Sequence, residues 1–139
     1  MGTTIRSEIS EKNKYYIDRH RYLELKNFCL QYPTWKKAYE SIDIFSKTHS
    51  DLASYIKTGF VGDRTATCAV AKAYYAERMN MVKEAALKAD EQIADYIIIG
   101  VTEGLSYVYL KGKLDIPCSK DTYYDRYRKF FWILNNIRE

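Results

Sequence analysis

The spacing of large side chains near the end of the chain, over residues 119–139, is the strongest constraint on the fold. Positions three and four apart share one face of an α-helix, because each residue turns the helix by about 100°. Aromatic and aliphatic residues recur at this spacing at Tyr123, Tyr127, Phe130, Leu134 and Ile137. The pattern therefore predicts a C-terminal helix whose aromatic side packs on the core of the protein.

A second stripe of this helix carries hydroxyl groups and cations, at Ser119, Thr122, Arg126 and Lys129. Ser119 suits the N-cap, because its side-chain oxygen can accept from the unpaired amides of the first turn. A helix with one face in the core and with donors and cations on another has the construction of a DNA recognition helix. A basic helix face is more often simply a solvated surface, so the neighbouring sequence is needed to distinguish this case from a DNA recognition helix.

The segment before this helix favours DNA binding. Residues 106–114 predict a short helix, and only Asp115-Ile116-Pro117-Cys118 separates it from the next one, as a helix-turn-helix requires. Many such turns carry glycine where this chain has Asp115. Residues 105–130 include six cations and three acidic residues, which gives them a net charge of +3 out of the chain's +4. We therefore expect this segment to bind double-stranded DNA.

The expected DNA contacts are of two kinds. Thr122 and Arg126 are expected to contact base edges. Phosphates are expected to be contacted by Lys111, Lys120, Arg128 and Lys129. Ser119 begins the contact helix, and Tyr124 stands beside the contact stripe, where its hydroxyl is expected to reach a phosphate.

Residues 1–61 are predicted to form a helical hairpin followed by a loop. Residues 18–31 and 34–45 have helical periodicity, and Pro33 separates them because the residue before a proline avoids the helical region. Residues 46–65 contain Gly59 and Gly62 and are interpreted as a loop with a short helix over 51–57. Residues 1 to about 11 are polar and without periodicity, so we expect them to be disordered.

Residues 62–139 are predicted to hold a long helix followed by the helix-turn-helix unit, which makes the whole chain an all-α protein. Nothing breaks a helix over 65–89, and alanine is abundant there. The residues expected to supply its buried side chains are Cys68, Val70, Tyr74, Met81 and Leu87. Its small residues let a neighbouring helix approach closely, so a homodimer is one expected assembly.

A further helix is predicted over residues 91–103. Asp90 is expected to cap its start, because an aspartate oxygen accepts well from first-turn amides. Gly104 suits the left-handed position that follows the end of a helix.

Composition excludes several other classes of protein. No apolar run approaches the roughly 18 residues that span a membrane, and the start of the chain lacks a signal-peptide pattern, so a cytoplasmic location is expected. Three cysteines argue against a disulfide scaffold; Cys29 and Cys68 are expected in the core, and Cys118 partly exposed. The two histidines and three cysteines are scattered, without the spacing of a metal site or a catalytic group. No cofactor and no enzymatic activity are expected.

Residues 62–138, and above all the string VTEGLSYVYLKGKLDIPCSKDTYYDRYRKFFWIL over 101–134, resemble small helical proteins encoded in phages and prophages of Gram-positive bacteria. The same unit is similar to the sigma-factor region 4-type helix-turn-helix of RinA- and ArpU-type late-gene regulators. The resemblance implies that residues 122–128 match the start of the helix that enters the major groove. It also implies a role in regulating transcription of phage genes in the bacterial cytoplasm.

Two other functions remain open at this point. The aromatic surface and the alanine-rich helix are compatible with a non-enzymatic interaction module that binds a host or phage protein, such as RNA polymerase. A packaging factor resembling a small terminase is the other alternative, and it would bind DNA as a ring.

Overall fold

The computed structural model describes residues 11–53 and 60–139, and side-chain surroundings for 11–44 and 65–139. The expected disorder of the first residues therefore lies largely outside the described part. The described residues form six α-helices and no strand, so the all-α prediction is confirmed. The helices are α1 Arg19–Leu30, α2 Tyr32–Ala53, α3 Phe60–Ala89, α4 Ala94–Glu103, α5 Tyr107–Leu114 and α6 Lys120–Arg138.

Local sequence signals set most of the helix boundaries correctly. Asp18 caps α1 by accepting from the His20 amide at 3.2 Å, and Ser106 and Ser119 cap α5 and α6. Gly104 follows α4 with a φ of 68°, the left-handed conformation that its sequence position predicted. Pro33 lies in the first turn of α2, where backbone amides have no partner within the helix, so its missing amide hydrogen costs no hydrogen bond.

The start of α4 differs from the prediction. The helix begins at Ala94, after a turn over 91–93, and its N-cap is Ile93, which makes no side-chain capping bond. Asp90 Oδ1 instead accepts from the Gln92 amide at 2.9 Å, so it caps the turn. The prediction that Asp90 caps the helix is wrong, because a short-range bond two residues along satisfies its oxygen first.

The two longest helices extend further than predicted. Residues 46–53, interpreted as part of a loop, belong to α2, and α3 already begins at Phe60. No proline or glycine interrupts 46–53, and a single glycine such as Gly62 costs a helix only about 1 kcal/mol. The rest of the predicted loop, 54–59, and with it most of the predicted short helix over 51–57, lies outside the described residues.

The chain divides into two compact units, and α1 belongs to the same unit as α4, α5 and α6. This unit contains residues 11–31 and Met81–Glu139, which include the last part of α3. Its buried side chains include Leu25 and Cys29 of α1, Val82 of α3, Ile97 of α4, Leu110 of α5, and Tyr123, Phe130, Phe131 and Leu134 of α6. The expected aromatic stripe of the C-terminal helix is therefore buried, except that Ile137 is only half-buried.

Polar contacts also join α1 to α6 within this unit. The hydroxyls of Tyr22 and Tyr127 are hydrogen bonded at 2.7 Å, and Tyr22 meets the Phe131 ring edge-on at 5.1 Å. Arg21 Nε donates to Asn135 Oδ1 at 2.6 Å. These contacts are with α6, and they lie within the compact unit that contains α1.

The second unit, Tyr32–Asn80, contains α2 and the first part of α3. Lys72 of α3 donates to Asp43 of α2 at 2.6 Å, and its ammonium lies 5.0 Å from the centroid of the Tyr39 ring. The expected burial of Val70 and Tyr74 is wrong, because they are 71% and 48% exposed.

Two other burial predictions for α3 also need correction. Leu87, in the part of α3 that belongs to the first unit, is 53% exposed. Cys68 is half-buried rather than in the core. Alanines occupy much of the buried surface of α3, at Ala85, Ala86 and Ala89, so the larger residues at other angles stay in solvent.

Candidate nucleic-acid interface

The turn between α5 and α6 is held by backbone and side-chain bonds at both ends. Asp115 adopts the left-handed conformation, with a φ of 50° and a ψ of 51°, and ends α5. The amides of Asp115 and Ile116 both donate to the Leu110 carbonyl, and the Ile116 side chain is fully buried. At the far end, the Tyr107 hydroxyl donates to the Cys118 carbonyl at 2.6 Å. The turn therefore fixes where α6 begins.

Lys111, a predicted phosphate contact, takes part in closing this turn. Its ammonium donates to the Ile116 carbonyl at 3.3 Å and lies 3.3 Å from the Asp115 carboxylate. The side chain remains 51% exposed, so the charge is accessible while the stem follows the turn.

The first turn of α6 presents hydroxyls at the surface. Ser119 Oγ accepts from the Thr122 amide at 3.2 Å and donates to Thr122 Oγ1 at 3.0 Å. Since Thr122 Oγ1 is the acceptor in that bond, its own proton remains available to an outside acceptor. Ser119 acts as the predicted N-cap, and Thr122 lies exposed above it.

Arg126 is held between two carboxylates. Its Nε donates to Asp90 Oδ2 at 3.1 Å, and Nη1 donates to Asp125 Oδ2 at 2.6 Å. The hydrogen bond to Asp90 is the main cause of a raised pKa of the guanidinium, with the Asp125 charge adding to it. Asp90 thus joins the α3–α4 turn to the middle of α6, and the guanidinium keeps further N–H groups for another acceptor.

Tyr124, another predicted phosphate contact, lies between α5 and α6. Its hydroxyl accepts from the Tyr107 amide at 3.4 Å, which brings it to the start of α5. Its ring packs edge-on against Tyr123 and Tyr127, at centroid distances of 5.1 and 5.8 Å. The side chain is half-buried in the aromatic cluster that joins α5 to α6.

The other predicted contact residues lie along the accessible part of α6. Lys120, Arg128 and Lys129 are half-buried, a typical state for long cationic side chains whose stems pack along a helix. Asp121 and Asp125 lie four residues apart, so the basic face also contains acidic groups. Asp121 suits the positive end of the helix dipole.

Sequence reasoning missed three residues of this region. Asp90 orients Arg126 from another helix boundary, and Tyr107 locks the turn through Cys118. Each of these two residues bonds to a residue outside its own helix or turn, and helical periodicity does not predict such contacts. The third, Asp115, had a local signal, because it occupies the position where such turns often carry glycine.

Two kinds of feature are absent from the described part of the chain. Among residues 11–44 and 65–139, whose side chains are described, no group of His, Cys, Asp or Glu is placed to hold a metal ion. Over residues 11–53 and 60–139, no helix is both long enough and apolar enough to cross a bilayer.

Comparison of the chain with models of protein families, with curated proteins and with solved structures finds no match.

Proposed function

We propose that the protein binds duplex DNA through the turn between α5 and α6 and the first half of α6, as a regulator of phage or prophage transcription. The observation that supports this proposal most strongly is the locked turn over 115–119. It holds a capped, hydroxyl-bearing helix start in the midst of a segment with six cations and three acidic residues. A rigid turn favours recognition, because base contacts depend on the helix entering the groove at a fixed angle.

In this proposal Thr122 and Arg126 contact base edges. Thr122 keeps a hydroxyl proton for an acceptor on a base, and Arg126 uses the N–H groups that Asp90 and Asp125 leave unoccupied. The two carboxylates orient the planar guanidinium, which favours a specific contact over a diffuse phosphate attraction.

Phosphates are contacted by Lys111, Lys120, Arg128 and Lys129 in the same proposal. Ammonium and guanidinium groups bind phosphates regardless of sequence, so this set supplies affinity and register. Ser119 acts through the cap of the contact helix, and Tyr124 acts by holding α6 on α5.

Two alanine variants test the division of roles. Arg126→Ala should weaken binding to a selected duplex by about 1–3 kcal/mol and reduce its preference over an unrelated duplex. Lys129→Ala should weaken both duplexes alike and make the salt dependence shallower by about one unit of slope. Lys83→Ala removes an exposed cation from α3 and is the matched control. Equal affinities for all three variants and the unaltered protein would contradict the proposed surface.

A further inference from the structure

The outward face of α5 is apolar at its centre, although the helix is short. Val108 is 71% exposed and Tyr109 is 45% exposed. Of the eight residues of α5, only Leu110 is buried and Tyr107 is half-buried, so most of the helix surface is exposed. Gly112 lies four residues after Val108 and three after Tyr109, which places all three on neighbouring positions of the same face.

Gly112 is not explained by the fold. Glycine inside a helix is unfavourable relative to alanine, because the unfolded chain has more freedom to lose. A Cβ added at Gly112 would meet no heavy atom within 4 Å, and its φ is not positive. By contrast, a Cβ at Gly100 would overlap the Tyr123 hydroxyl oxygen, so steric hindrance explains why residue 100 is a glycine. Gly112 therefore leaves the backbone of α5 open beside Val108 and Tyr109, where another molecule can approach it closely.

Cations border this open stretch of backbone. Lys111 and Lys113 stand on either side of Gly112 in sequence, so they lie about 100° to each side of it on the helix. Both are exposed, and α5 contains no acidic residue. The nearest acid, Asp115, ends the helix and pairs with Lys111.

We infer that this α5 face, formed by Val108, Tyr109, Gly112 and the two lysines, docks an acidic amphipathic helix of a partner protein. An apolar side chain of the partner would rest on the open backbone at Gly112, beside Val108 and Tyr109, and its carboxylates would lie beside Lys111 and Lys113. A second copy of this chain does not suit the face, because a two-fold pairing would bring the lysines of both copies together. Duplex DNA does not suit the apolar centre of the face, since a phosphate gains nothing from Val108; Lys111, at its edge, is shared with the proposed phosphate contacts.

The test is a selection of random peptides displayed on particles, with the full chain as bait. Enriched peptides should contain Asp or Glu interspersed with large apolar residues at helical spacing. Val108→Ser should weaken a resynthesised enriched peptide by about tenfold or more, as removal of a central contact does. Val70→Ser is the matched control, because Val70 on α3 is also 71% exposed, and it should leave the affinity unchanged.

Gly112→Ala separates docking from folding. The fold leaves room for the methyl group, so the variant should unfold at a higher urea concentration than the unaltered chain. The same methyl group would hold the partner away from the helix backbone, so peptide affinity should fall. A more stable protein that binds more weakly is a result that a merely structural role of Gly112 does not give.

Other outcomes would overturn this inference. They are an absence of acidic peptides among those enriched, or peptide affinities that Val108→Ser and Gly112→Ala leave unchanged. Loss of duplex DNA affinity in these two variants would assign the α5 face to DNA instead. Lys129→Ala should weaken DNA and spare the peptide, so failure of the DNA proposal and failure of the docking proposal remain distinguishable.

Discussion

At the scale of single residues, the packing of Tyr123 of α6 against Gly100 of α4 shows how closely this core is built. Tyr123 is fully buried, and its ring lies 5.9 Å from Tyr107 and 6.1 Å from Tyr127. Its hydroxyl rests where a Cβ of residue 100 would be, and it has no hydrogen-bond partner among the described residues. Burial without a partner is costly for a hydroxyl, so the contact is made at some expense of stability.

Gly100→Ala should lower the free energy of unfolding by about 1–2 kcal/mol. Overpacking a core typically costs about 1–3 kcal/mol, and the better helix propensity of alanine offsets part of this. Tyr123 is fully buried, so its hydroxyl or α4 has to shift to admit the methyl group. Urea denaturation followed by circular dichroism measures the change.

Tyr123→Phe should rescue Gly100→Ala, because it removes the oxygen that the new methyl group overlaps. By itself, Tyr123→Phe should leave stability unchanged or raise it, since a buried hydroxyl without a partner is removed. Gly112→Ala is the control glycine, and it should stabilise by about 0.5–1 kcal/mol. A double variant as unstable as Gly100→Ala alone would show that the overlap is not the cause.

Three buried acidic protons predict loss of stability at alkaline pH. Burial is the main cause of the raised pKa of the Cys29 thiol and of the Tyr123 and Tyr127 hydroxyls. The unfolded chain loses these protons from about pH 9–10 upward, while the folded chain keeps them, so the unfolded state is favoured as pH rises.

Unfolding free energy should therefore be constant below about pH 8 with respect to these groups and fall above it, by up to about 1.4 kcal/mol per pH unit for each group. Urea titrations at a series of pH values measure the slope. Cys29→Ala should make the decline shallower at its lower end, where the thiol titrates first. An equally steep decline in this variant would contradict the contribution of the Cys29 thiol to the loss of stability at alkaline pH.

At the scale of elements, the helix ends that were predicted correctly are those that a local bond or a special φ determines. Ser106, Ser119 and Gly104 act within their own turns. Asp90 could not be assigned in this way, because one of its oxygens accepts from the Gln92 amide in the turn before α4 and the other accepts from Arg126, which is far away in sequence. The exposure of Val70 and Tyr74 was unpredictable for a related reason, since periodicity shows which residues share a face but not which face is covered.

Asp115→Gly should stabilise the protein by about 0.5–1 kcal/mol. A left-handed φ costs a residue with a Cβ about 1–2 kcal/mol, and glycine avoids it at a smaller entropic cost. The pair with Lys111 contributes little, because the Asp115 side chain is 91% exposed. The midpoint of urea unfolding measures this, and a destabilised variant would mean that the carboxylate stabilises the turn.

Arg126→Ala should lower stability by about 0.5–1 kcal/mol even without DNA. The change leaves the largely buried Asp90 carboxylate without its guanidinium partner and unties α6 from the 90–93 turn. Lys129→Ala, without such a partner in the described part of α6, should stay within about 0.5 kcal/mol. Equal stability of the two variants would contradict the proposal that Arg126 links α6 to the 90–93 turn.

At the scale of the whole molecule, the all-α class followed from periodicity, whereas the grouping of helices did not. The bonds of Tyr22 to Tyr127 and of Arg21 to Asn135 bring the first helix to the last. Hydrogen bonds between residues so far apart in the chain leave no pattern of neighbouring residues that a single sequence would show. In the candidate region, the helix cap, the turn and the cations could be identified from the sequence, whereas the carboxylates around Arg126 could not, and DNA binding there stays a prediction.

Selection of the full chain against a random pool of duplex DNA tests the central claim most directly. The affinity of each enriched duplex would be measured across about 50–200 mM salt, where phosphate contacts are most visible. DNA binding through the 115–119 turn and α6 predicts an enriched sequence and an affinity that falls steeply as salt rises. No enriched sequence, together with no binding at the lowest salt, would contradict the claim.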